Sequence, residues 1–168
     1  MNLAEINDMD EAAFVTAVGG AYEHSPWVAK GTWAKRPFAS PEDLHNAFMS
    51  VIHAATPETQ LALIRAHPDL AGKAAIAREL TTESTFEQAS AGLDRLSPEE
   101  FARFHALNTA YRERFGIPFI ICVRLNTKDS ILFEFERRLA RDADTERMEA
   151  LKQIGEISRL RLKDLDIA

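Results

Sequence analysis

Four times this chain sets a serine or threonine directly before a proline: Ser25-Pro26, Ser40-Pro41, Thr56-Pro57 and Ser97-Pro98. Each pair is a helix start. The hydroxyl accepts from a first-turn N–H, and proline at the first helical position gives up an N–H that no helix bond would use. Apolar residues then recur at helical spacing: Leu44, Phe48, Val51, Ile52 and Ala55 after Pro41, Leu61 and Ile64 after Pro57, and Phe101, Phe104, Leu107 and Tyr111 after Pro98. Ser97 with Glu100 adds a capping box, and Asp8 with Glu11 reads as a further one, for Phe14, Val15 and Val18, with Gly19-Gly20 as the stop. Pro68 ends one helix near His67, and Gly116 with Pro118 ends another. From about Asp129 to Leu165 two more apolar stripes run, interrupted at Asp142 to Thr145. Only Phe119 to Val123 reads as a strand, and it has no strand to pair with. The pattern predicts an all-α protein: a single-domain bundle, residues 1–168, of about seven or eight helices.

The chain carries a formal net charge of −6. Nucleic-acid binders need a basic face, so nucleic acid is excluded as an expected partner, and anionic membrane is disfavoured. No run approaches the ~18 apolar residues of a membrane span. The sole cysteine, Cys122, can form no internal disulfide and suits a reducing compartment. The opening residues lack a secretory pattern and Asp166-Ile167-Ala168 is no peroxisomal address, so the expected location is cytoplasmic.

Chemistry in a helical bundle concentrates in the pieces between helices. Three such segments stand out. In Arg65 to Lys73, Pro68 disfavours helical geometry at His67. His67 is then either a helix C-cap or an imidazole held at a chain break, where it can move a proton near neutral pH. In Ser84-Thr85-Phe86-Glu87-Gln88, Glu87 is either the capping-box partner of Ser84 or, beside the Gln88 amide, part of a hydrogen-bonding surface. In Phe119-Ile120-Ile121-Cys122-Val123, the run is either core or an extended segment whose unpaired backbone groups meet an amide-rich ligand.

The five histidines show no zinc-binding spacing, so no metal site is expected. No glycine-rich nucleotide loop is present: Gly72-Lys73 is followed by Ala74, which breaks the phosphate-loop pattern. Cys122 sits in an apolar run and reads as an inert thiol.

Taken together, Ala66-His67-Pro68-Asp69-Leu70-Ala71-Gly72-Lys73, Leu80-Thr81, Ser84-x-x-Glu87-Gln88, Ala91-Gly92-Leu93, Phe104, Leu107-Asn108, Tyr111 and Phe115-Gly116-x-Pro118-Phe119 resemble the 2-oxo-4-hydroxy-4-carboxy-5-ureidoimidazoline (OHCU) decarboxylase family. The resemblance runs on into Arg159-Leu160-Arg161-Leu162. It implies a cofactor-free, homodimeric helical enzyme that converts the ureidoimidazoline to (S)-allantoin in urate degradation. It makes His67 the proton donor, gives Glu87 a catalytic role, and assigns substrate binding to Pro68, Ser84, Thr85, Phe86, Glu87, Gln88 and Phe119, Ile120, Ile121, Cys122 and Val123. Ile117 stands where relatives often have phenylalanine, a change that touches local pocket shape only.

The chemistry agrees with that assignment. Loss of CO₂ leaves an electron pair on a ring carbon, and most decarboxylases place it in a bound cofactor. Here the substrate's own C=O/C=N system can take it, so the protein need only orient the carboxylate, stabilise negative charge and deliver one proton to one face. Arg161, between two leucines, is a further candidate to face an anion, against the alternative of a surface arginine. The rival reading from another class is a non-catalytic helical binding module; a hydrolase or lyase of a later ureide is a third.

Overall fold

The computed structural model describes residues 1–72 and 80–167; Lys73 of the first segment lies outside them. Among the described residues there are nine α-helices and no strand. They are α1 (Leu3–Asp8), α2 (Glu11–Val18), α3 (Pro26–Trp33), α4 (Pro41–Ala54), α5 (Pro57–Arg65), α6 (Thr82–Ser90), α7 (Pro98–Phe115), α8 (Lys128–Leu139) and α9 (Ala143–Asp164). The protein is all-α, as the spacing predicts. None of the described helices is long and apolar enough to cross a membrane.

The caps explain the boundaries. Ser40, Thr56 and Ser97 each accept from the N–H three residues on, and Ser97 and Glu100 form the predicted box. Ser25 precedes α3 without capping it; its hydroxyl donates to the Glu23 carbonyl at 2.8 Å instead. The box expected at Asp8 is displaced: Asp10, next to Glu11, caps α2, and Asp8 is the last residue of α1, whose own box is Asn2 with Glu5. Asp142 accepts from Thr145 N and so separates α8 from α9. α7 ends at Gly116, whose φ of 68° is the left-handed turn glycine adopts without steric cost.

The backbone groups into two units. The first holds residues 1–66 and 155–168, the second 67–154, so α9 contributes residues to each. In the first, α3 packs on both α2 and α4, around Phe14, which stacks with Phe38 and Phe48. Its buried polar groups close on one another. Arg161 Nη2 donates to Glu23 Oε1 at 2.8 Å, Ser158 Oγ donates to the Tyr22 hydroxyl at 2.9 Å, and His45 Nε2 lies 3.0 Å from Gly155 O. In the second, α7 packs on α8 around Phe104, Tyr111, Phe119 and Phe135. Arg138 and Glu146 are buried there as an ion pair at 2.8 Å, and Tyr111 OH donates to the same Glu146 oxygen at 2.6 Å.

Candidate active site

Of the three irregular segments singled out by the sequence, the second and third lie in the second unit, as does the first from His67 to Gly72. The first is the turn after α5. His67 is buried there, outside any helix, because proline at 68 keeps it from helical geometry. Residues 67–72 form a tight loop: a Cβ on Gly72 would lie 2.9 Å from the Asp69 Cβ. Ala71 has a φ of 50°, a left-handed conformation that costs a residue with a side chain about 1–2 kcal/mol.

Helices α6 and α7 hold that loop. Gln88 Oε1 accepts from Ala71 N at 2.9 Å, while Gln88 Nε2 donates to Asp69 O at 3.3 Å. From α7, Asn108 Nδ2 donates to Leu70 O at 2.8 Å and Arg112 pairs with the Asp69 carboxylate at 2.7 Å.

The second segment lies within α6, and the structure removes one of its two readings. The cap of α6 is Thr81, which accepts from Ser84 N at 3.1 Å. Ser84 and Glu87 are therefore interior helical residues, and Glu87 is no capping-box carboxylate. Ser84, Glu87 and Gln88 stand at i, i+3 and i+4 and are buried as one face, whereas Thr85 and Phe86 point outward, Phe86 at 61% exposure. A cavity of about 890 Å³ is lined by Ala71, Thr85, Gln88, Leu93 and Phe101, among others. Among the described residues neither His67 nor Glu87 lines it, so it holds two of the candidate binding residues, Thr85 and Gln88, without the candidate proton donor.

The third segment runs without helix or strand from Gly116 to Cys122. Side chains take the place of the missing strand partner. Arg138 Nη1 donates to Ile120 O at 2.7 Å, Gln153 Oε1 accepts from Cys122 N at 2.9 Å, and Asn126 Nδ2 donates to Cys122 O at 2.9 Å. Phe119 is core: its ring stacks on Phe135 with centroids 3.7 Å apart, and the Arg138 guanidinium carbon lies 4.3 Å from its centroid. In a trans peptide the carbonyl and the following N–H point oppositely. With Ile120 O aimed at Arg138 and Cys122 N at Gln153, the N–H of Ile121 points away from the Arg138 guanidinium and its C=O away from the Gln153 amide. Among the described residues Ile121 forms no hydrogen bond.

These pieces come together. The loop joins α6 through Gln88, and α6 packs against the 3₁₀ turn Val123–Leu125 that ends the extended segment, with Arg124 over the Phe86 ring. Arg161 is not a surface arginine. It is buried in the first unit, its guanidinium on Glu23 and its second N–H group on Gly20 O at 3.3 Å.

Two supporting groups escaped the sequence reading. Arg138 looks like half of a surface Arg137-Arg138 pair, yet Ile131, Leu132, Phe135 and Arg138 share one helical face. Asn108 likewise sits between Phe104 and Tyr111 on the buried stripe of α7. A polar residue at an apolar register position was the available signal.

The fold is an all-helical one in which the turn that carries the buried His67 is tied through Gln88 to α6, the helix of Glu87. The family described as OHCU decarboxylase matches residues 7–163, and the chain belongs to that family. It is 41% identical over 167 residues to the 2-oxo-4-hydroxy-4-carboxy-5-ureidoimidazoline decarboxylase of Halalkalicoccus jeotgali, covering 99% of this chain and 93% of that protein. The protein of the same name from Haloferax volcanii is 42% identical over 164 residues, covering 98% and 95%. A crystal structure of (S)-allantoin synthase superposes with a TM-score of 0.76 at 27% identity, over 98% of this chain and 54% of the other.

Proposed function

We propose that this protein decarboxylates the ureidoimidazoline OHCU to (S)-allantoin in urate degradation, with His67 as the proton donor. The observation that carries the reading is the match to the OHCU decarboxylase family across residues 7–163, on a fold whose loop 67–72, α6 and extended segment converge.

In the proposed reaction the bond from the ring carbon to the carboxylate breaks and CO₂ leaves. The electron pair forms a double bond to the neighbouring ureido-bearing carbon and pushes the C=N pair onto nitrogen. That ureido-bearing carbon then takes a proton from the His67 imidazole, which regains one from solvent, while the ring hydroxyl proton passes to the nitrogen and the hydroxyl-bearing carbon becomes the carbonyl of allantoin. Glu87 binds and polarises the ring and ureido group, with Ser84 beside it on the buried face. Gln88 holds the loop with one N–H and one lone pair, which leaves one of each for the substrate. The N–H and C=O of Ile121 suit an amide or ureido edge. Pro68 and the remaining residues of 84–88 and 119–123 shape the site. Donation from one fixed side makes the product one-handed.

The same reading makes the protein a homodimer in the cytoplasm that needs no cofactor or metal. The buried lone thiol of Cys122 supports a reducing compartment, and the exposed Phe133 and Leu125 side chains offer apolar area for a subunit contact. The test is to dialyse the protein against chelator and supply freshly generated substrate with no cofactor while following optical rotation. Single-handed allantoin is expected. Because the intermediate also decays unaided to racemic product, racemic allantoin from folded protein, or activity that returns only with metal, overturns the mechanism.

A further inference from the structure

The peptide unit between Leu70 and Ala71 is gripped at both ends by side chains from different helices. Its carbonyl accepts from Asn108 Nδ2 of α7 at 2.8 Å, and its N–H donates to Gln88 Oε1 of α6 at 2.9 Å. The residue that follows this peptide bond, Ala71, is the one held left-handed at φ 50°. Such a conformation persists only where surrounding contacts over-determine it, and here the two bonds fix the orientation of the peptide plane that leads into it. Four residues upstream in the same loop is His67, and between them Leu70 is buried and Asp69 is held through its carbonyl by Gln88 and through its carboxylate by Arg112.

Asn108 shows that the grip is costly. Its Nδ2 must face Leu70 O, since the reversed amide would set two acceptors against each other. That choice leaves Oδ1 buried with no hydrogen-bond partner among the described residues, a group whose desolvation costs about 1–3 kcal/mol. An apolar residue between Phe104 and Tyr111 would remove that unpaired oxygen but would leave the Leu70 carbonyl without its donor, so the asparagine carries one unpaired atom in order to hold the loop.

We infer that Asn108, acting with Gln88, is a positioning residue: the two side chains clamp the Leu70–Ala71 peptide and thereby set the placement of the His67 imidazole relative to the substrate. The inference rests on the reading of His67 as proton donor. It goes beyond it by assigning the accuracy of protonation to a residue on α7 that acts through the loop backbone. A displaced donor delivers its proton late or to the wrong face, so the signature of a broken clamp is a fall in kcat together with leakage to racemic product. Substrate binding, which rests on α6 and the 119–123 segment, is affected less.

The experiment compares Asn108→Ala and Asn108→Asp with the unsubstituted protein in kcat, KM, enantiomeric excess of allantoin, helical circular dichroism and Tm. Asn108→Asp keeps the shape while replacing the donor, so it serves if the alanine variant folds poorly. Both variants are expected to lose about 10- to 100-fold in kcat, as donor misplacement by an ångström does, with lower enantiomeric excess, KM within about threefold and helicity retained. Adding Ala71→Gly to Asn108→Ala should recover part of the lost enantiomeric excess, because glycine takes the left-handed conformation without the clamp. Unchanged kcat and enantiomeric excess in both variants overturns the inference. So does a loss of rate that merely tracks the folded fraction while the product stays one-handed. His67→Ala, assayed alongside, separates the two levels: turnover retained in that variant sinks the proton-donor reading itself, whereas an inactive His67→Ala with normal Asn108 variants sinks only the clamp.

Discussion

Both units bury an arginine against a glutamate and a tyrosine near that pair, yet they use the arrangement differently. In the first unit the groups tie helices to one another or to the turn at 20–23: Arg161 of α9 reaches Glu23 and Gly20 O, Ser158 of α9 donates to Tyr22, and His45 of α4 lies against a carbonyl of α9. In the second, the polar side chains reach out of helices to hold chain that has no regular structure. Arg138 and Gln153 support 120–122, and Gln88 and Asn108 support 69–71. Buried polarity in the first unit joins elements and in the second it also stands in for missing ones; among the described residues each unit keeps unpaired atoms, His45 Nδ1 in the first and Asn108 Oδ1 and Arg138 Nη2 in the second. Irregular backbone held rigidly by neighbouring helices is what a preorganised site requires.

The largest expected effect is on turnover and belongs to the second unit. His67→Ala should lower kcat by about 10²–10⁴-fold with helical circular dichroism intact, the usual worth of general-acid help; retention of more than about a tenth of the rate removes His67 from that role. Glu87→Gln should lower kcat more than it weakens allantoin binding. Because Thr81 and not Ser84 caps α6, the substitution should leave Tm nearly unchanged. A large fall in Tm at normal turnover would give Glu87 a structural role.

Next come the ion pairs. Removing one member of a buried pair strands the other charge and costs about 3–5 kcal/mol, so Arg138→Met and Arg161→Ala should each lower stability to denaturant by that order. The units should then part company. Loss of Arg138 frees Ile120 O and should raise KM in the folded fraction, whereas loss of Arg161 should not. A raised KM for folded Arg161→Ala would break the contrast and make Arg161 an anion-facing residue after all.

The smallest effect should be the same in both. Burial pushes the hydroxyls of Tyr22 and Tyr111 above the ordinary tyrosine value, and at Tyr111 the bond to Glu146 adds to it. With the folded value above the unfolded one, their contribution to stability is intact below about pH 10 and lost as pH rises from there toward the folded value. Tyrosinate absorbance should therefore appear together with loss of helix; ionisation of either tyrosine in fully helical protein contradicts its burial.

What the sequence made legible was local. Ser40, Thr56, Ser97 and the Gly116 stop act within a few residues, so the spacing alone locates them. The same locality misled at α6. Ser84-x-x-Glu87 satisfies the capping pattern as well as Thr81 does, and only the three-dimensional start of the helix separates them. The bonds from Gln88 and Asn108 to residues 69–71 join positions 17 to 38 apart in sequence, and no periodicity encodes such a pairing. The extended run 119–123 was recognisable as irregular because it lacked a partner strand; which side chains replaced that partner was not.

Helix α9 has a consequence for the order in which the protein can be made. Its residue Glu146 completes the charge pair of the second unit and Gln153 steadies Cys122, while Gly155, Ser158 and Arg161 complete the first. During synthesis neither core can close on its own charges until this late stretch leaves the ribosome. Until then Glu23 lacks Arg161 and Arg138 lacks Glu146. A nascent chain halted at residue 140 would thus hold helices with good local caps but two open cores, so folding of both units waits on the same 19 residues, Ala143 to Arg161.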